Sequence, residues 1–222
     1  MNPKHAFWQA FFVTIIIFCI GIIIGFFIEG FRSDKIQDNL ISSEINLLDQ
    51  QLKDRVFVNF NVTCEDSVNS TFRFADKIYG EARQLEKYDE SSKFTDSIFL
   101  LHKRYDLLRV MLWTESIELK NRCNFNSNTN FYTIVYLYEY NVDDVDQVSE
   151  QTFFSRVLFE LKSKYPDKIL LIPIAVDMDL ESVDLAVSDY NIESYPVIII
   201  NEGKIVENIE SLEELEKEVF KK

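Results

Sequence analysis

Residues 190–204 read YNIESYPVIIINEGK and are the most informative stretch of the sequence. Pro196 is followed by Val and Ile at residues 197–200, a run typical of a buried strand, which is predicted over residues 197–201. Glu202-Gly203 then predicts a tight turn, because such pairs favour two-residue hairpin connections. A second short strand is expected over residues 205–208. The stretch therefore predicts a β-hairpin that begins directly after Pro196.

The rest of the C-terminal third alternates predicted strands and helices. Apolar, β-branched residues predict strands at 132–140 and 169–176. Amphipathic patterns predict helices at 151–165, 182–190 and 211–222. Ser211 with Glu214 forms a capping box at the start of the last helix. The predicted order over residues 132–222 is β-α-β-α-β-β-α.

This order and the segment around Pro196 resemble the thioredoxin family. Tyr190, Ile192 and Pro196 match the family pattern Tyr-x-Val/Ile-x-x-x-Pro-Thr, which is followed by a strand and a glycine turn, although Val197 replaces the threonine. The resemblance implies an α/β thioredoxin-like domain over residues 131–222 in which the peptide bond before Pro196 is cis. It also implies a groove beside this proline that pairs with an extended peptide, lined here by Tyr140, Asn141, Tyr195 and Pro196.

The sequence departs from the family where the chemistry would be. Thioredoxins carry Cys-x-x-Cys after the first long strand, at a helix N-terminus that activates the first thiol. Asn141 and Asp144 stand near those two positions, and no cysteine follows Cys123. The family's buried acid would fall near Val135. Without a thiolate this site cannot exchange disulfides, so we expect no catalytic residue and no enzyme.

Residues 33–121 read as a helical region with a single glycine. Helices are predicted over 67–88 and 94–119, after an apolar stripe at Ile36, Leu40, Leu47, Leu48, Leu52 and Val56. They would form an antiparallel hairpin or a three-helix unit, followed by an Asn-rich linker at 122–130. Antiparallel packing would bring Cys64 and Cys123 to one end, which predicts a disulfide; two unrelated buried thiols are the alternative.

Residues 1–32 predict a cytoplasmic tip and a transmembrane anchor, because residues 10–28 carry no charge. A cleaved signal peptide and a buried helix are the alternatives. Glycosylation acceptors at Asn61 and Asn69, with the cysteine pair, favour a single-pass, signal-anchored membrane protein with an extracytoplasmic C-terminal part. Gly21 and Gly25 have the spacing of a close helix–helix contact, which predicts a homodimer.

The net charge of −14 excludes nucleic-acid binding, which needs a basic surface. The five glycines do not form a nucleotide-binding loop, and the acidic residues lack calcium-loop spacing, so we expect no cofactor and no metal. The function expected is a redox-inactive, membrane-anchored, thioredoxin-like module that binds a polypeptide or a membrane-protein partner, or acts as a scaffold. The alternatives are a divergent thiol-disulfide oxidoreductase or chaperone that uses Cys64 and Cys123, and a purely structural subunit of a membrane complex.

Overall fold

A computed structural model describes residues 8, 11–26, 41, 44, 45, 47–49, 51–53, 56, 60, 62–89, 95–123 and 131–220 of the chain. The chain divides into two compact units, Met1–Asp49 and Gln50–Lys222. Asn61, Ile36, Leu40 and most of the predicted linker lie outside the described residues. Leu47, Leu48, Leu52 and Val56 of the predicted apolar stripe are helical.

The structure of the N-terminal unit contradicts the predicted membrane anchor. Its described apolar residues, Trp8 and 11–26, are helical. No helix within the described residues is long and apolar enough to cross a membrane. The predictions of a transmembrane helix, a signal-anchor and a single-pass membrane protein facing outward are therefore wrong. The predicted dimer through Gly21 and Gly25 stays a prediction.

In addition to the helical residues 51–53 and 56, the described part of the second unit contains five helices with defined bounds and a mixed four-stranded sheet. The helices are α1 (Cys64–Asp89), α2 (Thr95–Arg122), α3 (Val145–Lys164), α4 (Glu181–Ser188) and α5 (Leu212–Phe220). The strands are β1 (Tyr132–Tyr138), β2 (Ile169–Ala175), β3 (Val197–Ile200) and β4 (Lys204–Val206). The order of elements predicted for residues 132–222 is therefore observed, and the Tyr195–Pro196 bond is cis.

The sheet has the strand order β2-β1-β3-β4. β1 runs parallel to β2 and antiparallel to β3, and β3 pairs antiparallel with β4. Alternate residues of β1 point to opposite faces, and both faces are covered by helices. Ile134 and Tyr136 join a core with α3 and α5. On the other face, the Thr133 hydroxyl donates to Ser116 of α2 over 3.4 Å. Burial on both faces explains why β1 is a continuous apolar run.

The helices α1 and α2 form the predicted antiparallel hairpin. Cys64 begins α1 and Cys123 follows α2, and the two cysteines form a disulfide with Cα atoms 5.9 Å apart. Within the hairpin, the buried Glu115 carboxylate accepts hydrogen bonds from Thr71 over 2.9 Å and from Lys53. The predicted disulfide is confirmed. The boundaries predicted between helical region, linker and C-terminal domain stay predictions, and residues 50–222 form one unit.

Side chains from the helices form hydrogen bonds with the edge of β2 that faces away from β1. The N–H of Tyr132 donates to the Lys168 carbonyl, and the N–H of Val176 donates to the Tyr138 carbonyl. The backbone groups of the even-numbered residues from 168 to 176 therefore face β1 and form hydrogen bonds with it. The positions that face away are Ile169, Leu171, Pro173 and Ala175. Lys162 donates to the carbonyl of Ile169, Tyr79 donates to the carbonyl of Leu171, and the N–H of Ala175 donates to Asp106. Pro173 has no N–H to offer. Each outward position is therefore bonded to a helix or is a proline.

The acceptor Asn69 lies exposed on α1, but the Thr71 of its triplet is fully buried and donates to Glu115. Glycosylation at Asn61 and Asn69 stays a prediction.

Candidate functional site

An open groove of about 390 Å³ lies beside the carboxyl ends of β1 and β2. Because the two strands are parallel, Tyr138 and Ala175 end at the same edge of the sheet. The residues that follow them, Glu139 and Val176-Asp177, form one wall of the groove, and residues of α4, Asn191-Ile192 and Tyr195 form the rest. Such an edge is where open α/β sheets commonly bind ligands.

The loop between β1 and α3 is closed by hydrogen bonds within the protein. The carboxylate of Asp177 accepts the backbone N–H of Tyr140 over 2.6 Å and that of Asn141 over 2.7 Å. Asp144 is the N-cap of α3, and its carboxylate accepts from the N–H of Asp146 and of Gln147. Asn141 and Asp144 are where the thioredoxin resemblance places two thiols. The loop N–H groups of Tyr140 and Asn141 and the first donors of α3 are therefore bonded to carboxylates.

The cis bond before Pro196 lies at the other side of the groove. Pro196 is buried, whereas Tyr195 is half-buried and lines the groove. The Gln147 amide bridges the two sides: it donates to the Glu139 carboxylate over 2.6 Å and to the Tyr195 carbonyl over 3.3 Å. Burial raises the pKa of the Tyr195 hydroxyl, and the nearby carboxylates of Glu139 and Asp184 raise it further. The phenol is therefore a neutral hydrogen-bond donor at physiological pH.

The structure separates the four residues predicted to line the peptide groove. Tyr195 lines it, whereas Pro196 is buried and is not among the residues that line it. The ring of Tyr140 instead packs against α2, with its centroid 4.6 Å from that of His102. Asn141 is exposed, and its backbone N–H is bonded to Asp177. Peptide binding by this set stays a prediction, but only Tyr195 is among the residues that line the groove.

Three carboxylates in the groove wall were not predicted as site residues. Glu139, Asp177 and Asp184 come from the end of β1, the end of β2 and α4. Among the described residues, no lysine or arginine lines this groove. Aliphatic side chains of Val183, Val187 and neighbouring residues complete it. The groove can therefore contact apolar groups and positive charge at once.

The disulfide lies at the opposite end of the sheet from the groove. Lys120, three residues before Cys123, donates to Asn201 and Glu202 in the β3–β4 turn. That turn is at the far end of β3 from Pro196, and β1, which lies beside it, is about 20 Å long at about 3.3 Å per residue. Val135, where the resemblance to thioredoxins would place that family's buried acid, is fully buried in β1. The residues that line the groove in the described part of the chain therefore include neither a thiol nor that acid.

Within the described ranges, no three His, Cys, Asp or Glu side chains are grouped as a metal ion would require. No model of a known protein family and no curated protein matches the chain. The groove is therefore interpreted from its own geometry and chemistry.

Proposed function

We propose that this protein is a redox-inactive, thioredoxin-like module that binds a polypeptide segment in the groove beside Tyr195 and Pro196. The observation that carries the proposal is the open groove of about 390 Å³ at the carboxyl ends of the parallel strands. Pockets that hold ligand groups in proteins typically measure about 300–1,000 Å³. The β-α-β-α-β-β-α order of the elements supports the thioredoxin-like interpretation.

Two features favour binding over thiol chemistry. The positions expected to carry thiols hold Asn141 and Asp144, and Asp144 caps α3 through two backbone hydrogen bonds. Cys64 and Cys123 are bonded to each other at the far end of the sheet. A nucleophilic thiolate is required for disulfide exchange, and the groove offers only carboxylates, a phenol, hydroxyl and amide groups, and aliphatic side chains.

The β2 edge of the sheet also favours the groove as the binding place. An extended peptide can add to an exposed strand edge through backbone hydrogen bonds. At β2 this route is obstructed, because Lys162 and Tyr79 already bond the outward carbonyls of Ile169 and Leu171, and Asp106 bonds the N–H of Ala175. Among the described residues, the groove beside Tyr195 is open.

Filling the groove tests the proposal. Ser188 of α4 is exposed and lines the groove, and Ser182 is an exposed serine of the same helix that does not line it. Ser188→Trp should weaken the binding of fluorescently labelled, cysteine-free nine-residue peptides, screened as a mixed-sequence panel by fluorescence anisotropy. We expect a loss of about tenfold. The matched variant Ser182→Trp should change the affinity by less than about twofold.

A panel in which no peptide binds, or in which both tryptophan variants weaken binding equally, would overturn the proposal. Thiol chemistry is checked separately by reduction of a model disulfide in the presence of dithiothreitol. The unaltered chain should be no faster than a double variant with Cys64→Ser and Cys123→Ser. A rate that the double variant loses would show a redox enzyme instead.

A further inference from the structure

The groove combines carboxylates with an aliphatic surface. Glu139, Asp177 and Asp184 contribute the charge, and Val183 and Val187 of α4 are among its aliphatic residues. A lysine or arginine side chain has the same two parts, a chain of methylene groups and a cationic head. The lining is therefore complementary to a basic side chain in both polarity and charge.

Two of the three carboxylates are held in place by hydrogen bonds from the protein. Asp177 accepts from Tyr140 and Asn141, and Glu139 accepts from the Gln147 amide. Fixed acceptors lose little conformational entropy when they bind a cation. The ring of Tyr195 adds a π-face, which attracts cations. The groove is thus already organised for a positive group.

The charge of the surrounding segments points the same way. Residues 139–146 hold four Asp or Glu, residues 176–193 hold six, and neither segment contains a lysine or an arginine. Lys103 pairs with Asp179 over 3.9 Å, and neither residue lines the groove. The field at this end of the sheet is therefore negative and would draw a basic partner toward it.

We propose that the groove holds a lysine or arginine side chain of an extended polypeptide, with its stem against Val183 and Val187 and its cationic head at Glu139 and Asp184. This inference rests on the proposed function and adds the class of polypeptide. Charge complementarity selects a basic segment over an acidic or apolar one. Asp184 is exposed on α4 and is the carboxylate whose removal disturbs the fold least.

The test uses three labelled nine-residue peptides that alternate valine with lysine, valine with glutamine and valine with glutamate. With the full chain at low salt, the lysine peptide should bind about tenfold more tightly than the glutamine peptide, as expected for charge-assisted contacts. The glutamate peptide should bind more weakly than both. The preference should shrink at high salt, because screening weakens exposed charge pairs.

Asp184→Asn and Asp189→Asn remove the same charge from neighbouring positions. Both residues are exposed, but only Asp184 lines the groove. Asp184→Asn should reduce the affinity for the lysine peptide by about fivefold, and Asp189→Asn by less than about twofold.

The outcomes separate this inference from the proposed function. Equal binding of the lysine and glutamine peptides would remove the basic specificity and leave peptide binding standing. Equal losses in the two Asp→Asn variants would show attraction by the whole surface rather than by the groove. Full displacement of the lysine peptide by an equimolar amount of spermine or Ca²⁺ would show a small-cation site instead. Binding of none of the three peptides would overturn the basic specificity, while the mixed-sequence panel decides the proposed function.

Discussion

Asp177 accepts the backbone N–H of Tyr140 at 2.6 Å, and its second oxygen accepts the neighbouring N–H of Asn141 at 2.7 Å. One carboxylate from the end of β2 thus closes the loop that follows β1. Hydrogen bonds to an ionised acceptor are about twice as strong as neutral ones. The same carboxylate also forms part of the groove wall, so loop structure and groove charge depend on one residue.

Asp177→Asn should destabilise the protein by about 1–2 kcal/mol, because the amide can accept only one of the two N–H groups well. Urea unfolding followed by circular dichroism measures the change. Asp179→Asn is the matched control: Asp179 is exposed with φ 54°, a conformation that asparagine also adopts. Asp179→Asn should lower the free energy of unfolding by less than about 0.5 kcal/mol. Equal costs for the two variants would contradict the role given to Asp177.

Replacing both Cys64 and Cys123 by serine should lower the free energy of unfolding by about 2–4 kcal/mol. The cysteines are 59 residues apart in the sequence, and loop closure over that length restricts the unfolded chain. Urea unfolding of the double variant measures the loss, and dithiothreitol should produce a similar loss in the unaltered chain. Cys19→Ser, which replaces an exposed free cysteine, should have no effect. No loss in the double variant would mean that the hairpin is held by packing alone.

Stability should fall as the pH rises above 10. Burial, together with the nearby Glu81 carboxylate, raises the pKa of Tyr105 from its ordinary value of 10 to about 12, against the lowering effect of Arg104 and Arg109. Burial also raises the pKa values of three other tyrosines, Tyr79, Tyr136 and Tyr138. Because the folded state holds these protons more tightly, the contribution is fully present below pH 10 and is lost as the pH rises toward the folded pKa. The phenolate absorbance of these tyrosines should therefore appear together with unfolding.

Tyr105→Phe isolates one part of this effect. At pH 7 it should cost about 1 kcal/mol, because Tyr105 loses its hydrogen bond to Glu81. At pH 11 that cost should shrink by roughly 1 kcal/mol, since the variant has no phenol to ionise on unfolding. Urea unfolding at both pH values measures the difference. The same cost at pH 7 and at pH 11 would contradict the assignment.

Replacing Asn201 by alanine should destabilise the protein more than replacing it by glycine. It has φ 47°, and its side-chain oxygen accepts from the Thr133 N–H over 3.1 Å and from Lys120 over 3.0 Å. Asn201→Ala loses both hydrogen bonds and is strained at positive φ, for a total of roughly 2–3 kcal/mol. Asn201→Gly loses the hydrogen bonds only, for roughly 1 kcal/mol. Thermal unfolding of the two variants would refute this account if it ranked them equal.

The strands were predictable because their apolar runs are buried on both faces. Residues 134–137 of β1 and 197–200 of β3 are buried throughout, and such runs differ clearly from amphipathic helices. The start of α3 was not predicted. It begins at Val145 rather than at 151, because Val145 and Val148 are exposed and give no regular apolar face there. Asp144 as N-cap was the available signal.

The hairpin turn differs from its prediction by one position. The residues with positive φ are Asn201 and Glu202, not Glu202 and Gly203, and the Gly203 N–H donates to Ile200. Glutamate is rare at positive φ, so the sequence alone predicts positive φ at Gly203. Here Asn201 is fixed by Thr133 and Lys120, and Glu202 by its ion pair with Lys120 over 3.0 Å. Tertiary contacts therefore decide the turn.

The carboxylates of the groove could not be placed from sequence spacing. Glu139, Asp177 and Asp184 come from three elements, and only the parallel pairing of β1 with β2 brings the first two to one edge. The available signal was the absence of lysine and arginine from residues 139–146 and 176–193. The pairing of Asp177 with the loop N–H groups has no local sequence pattern, because 37 positions separate Asp177 from Tyr140.

The occupied outer side of β2 has a consequence for crowded conditions. Two copies of a chain often join into fibrils by extending one sheet into the next, and bare strand margins are where that growth begins. Here an approaching copy would first have to displace the Tyr79 hydroxyl, the Lys162 ammonium and the Asp106 carboxylate, and it would still meet Pro173 halfway along. Intermolecular strand stacking from this margin is therefore blocked by the chain's own helices.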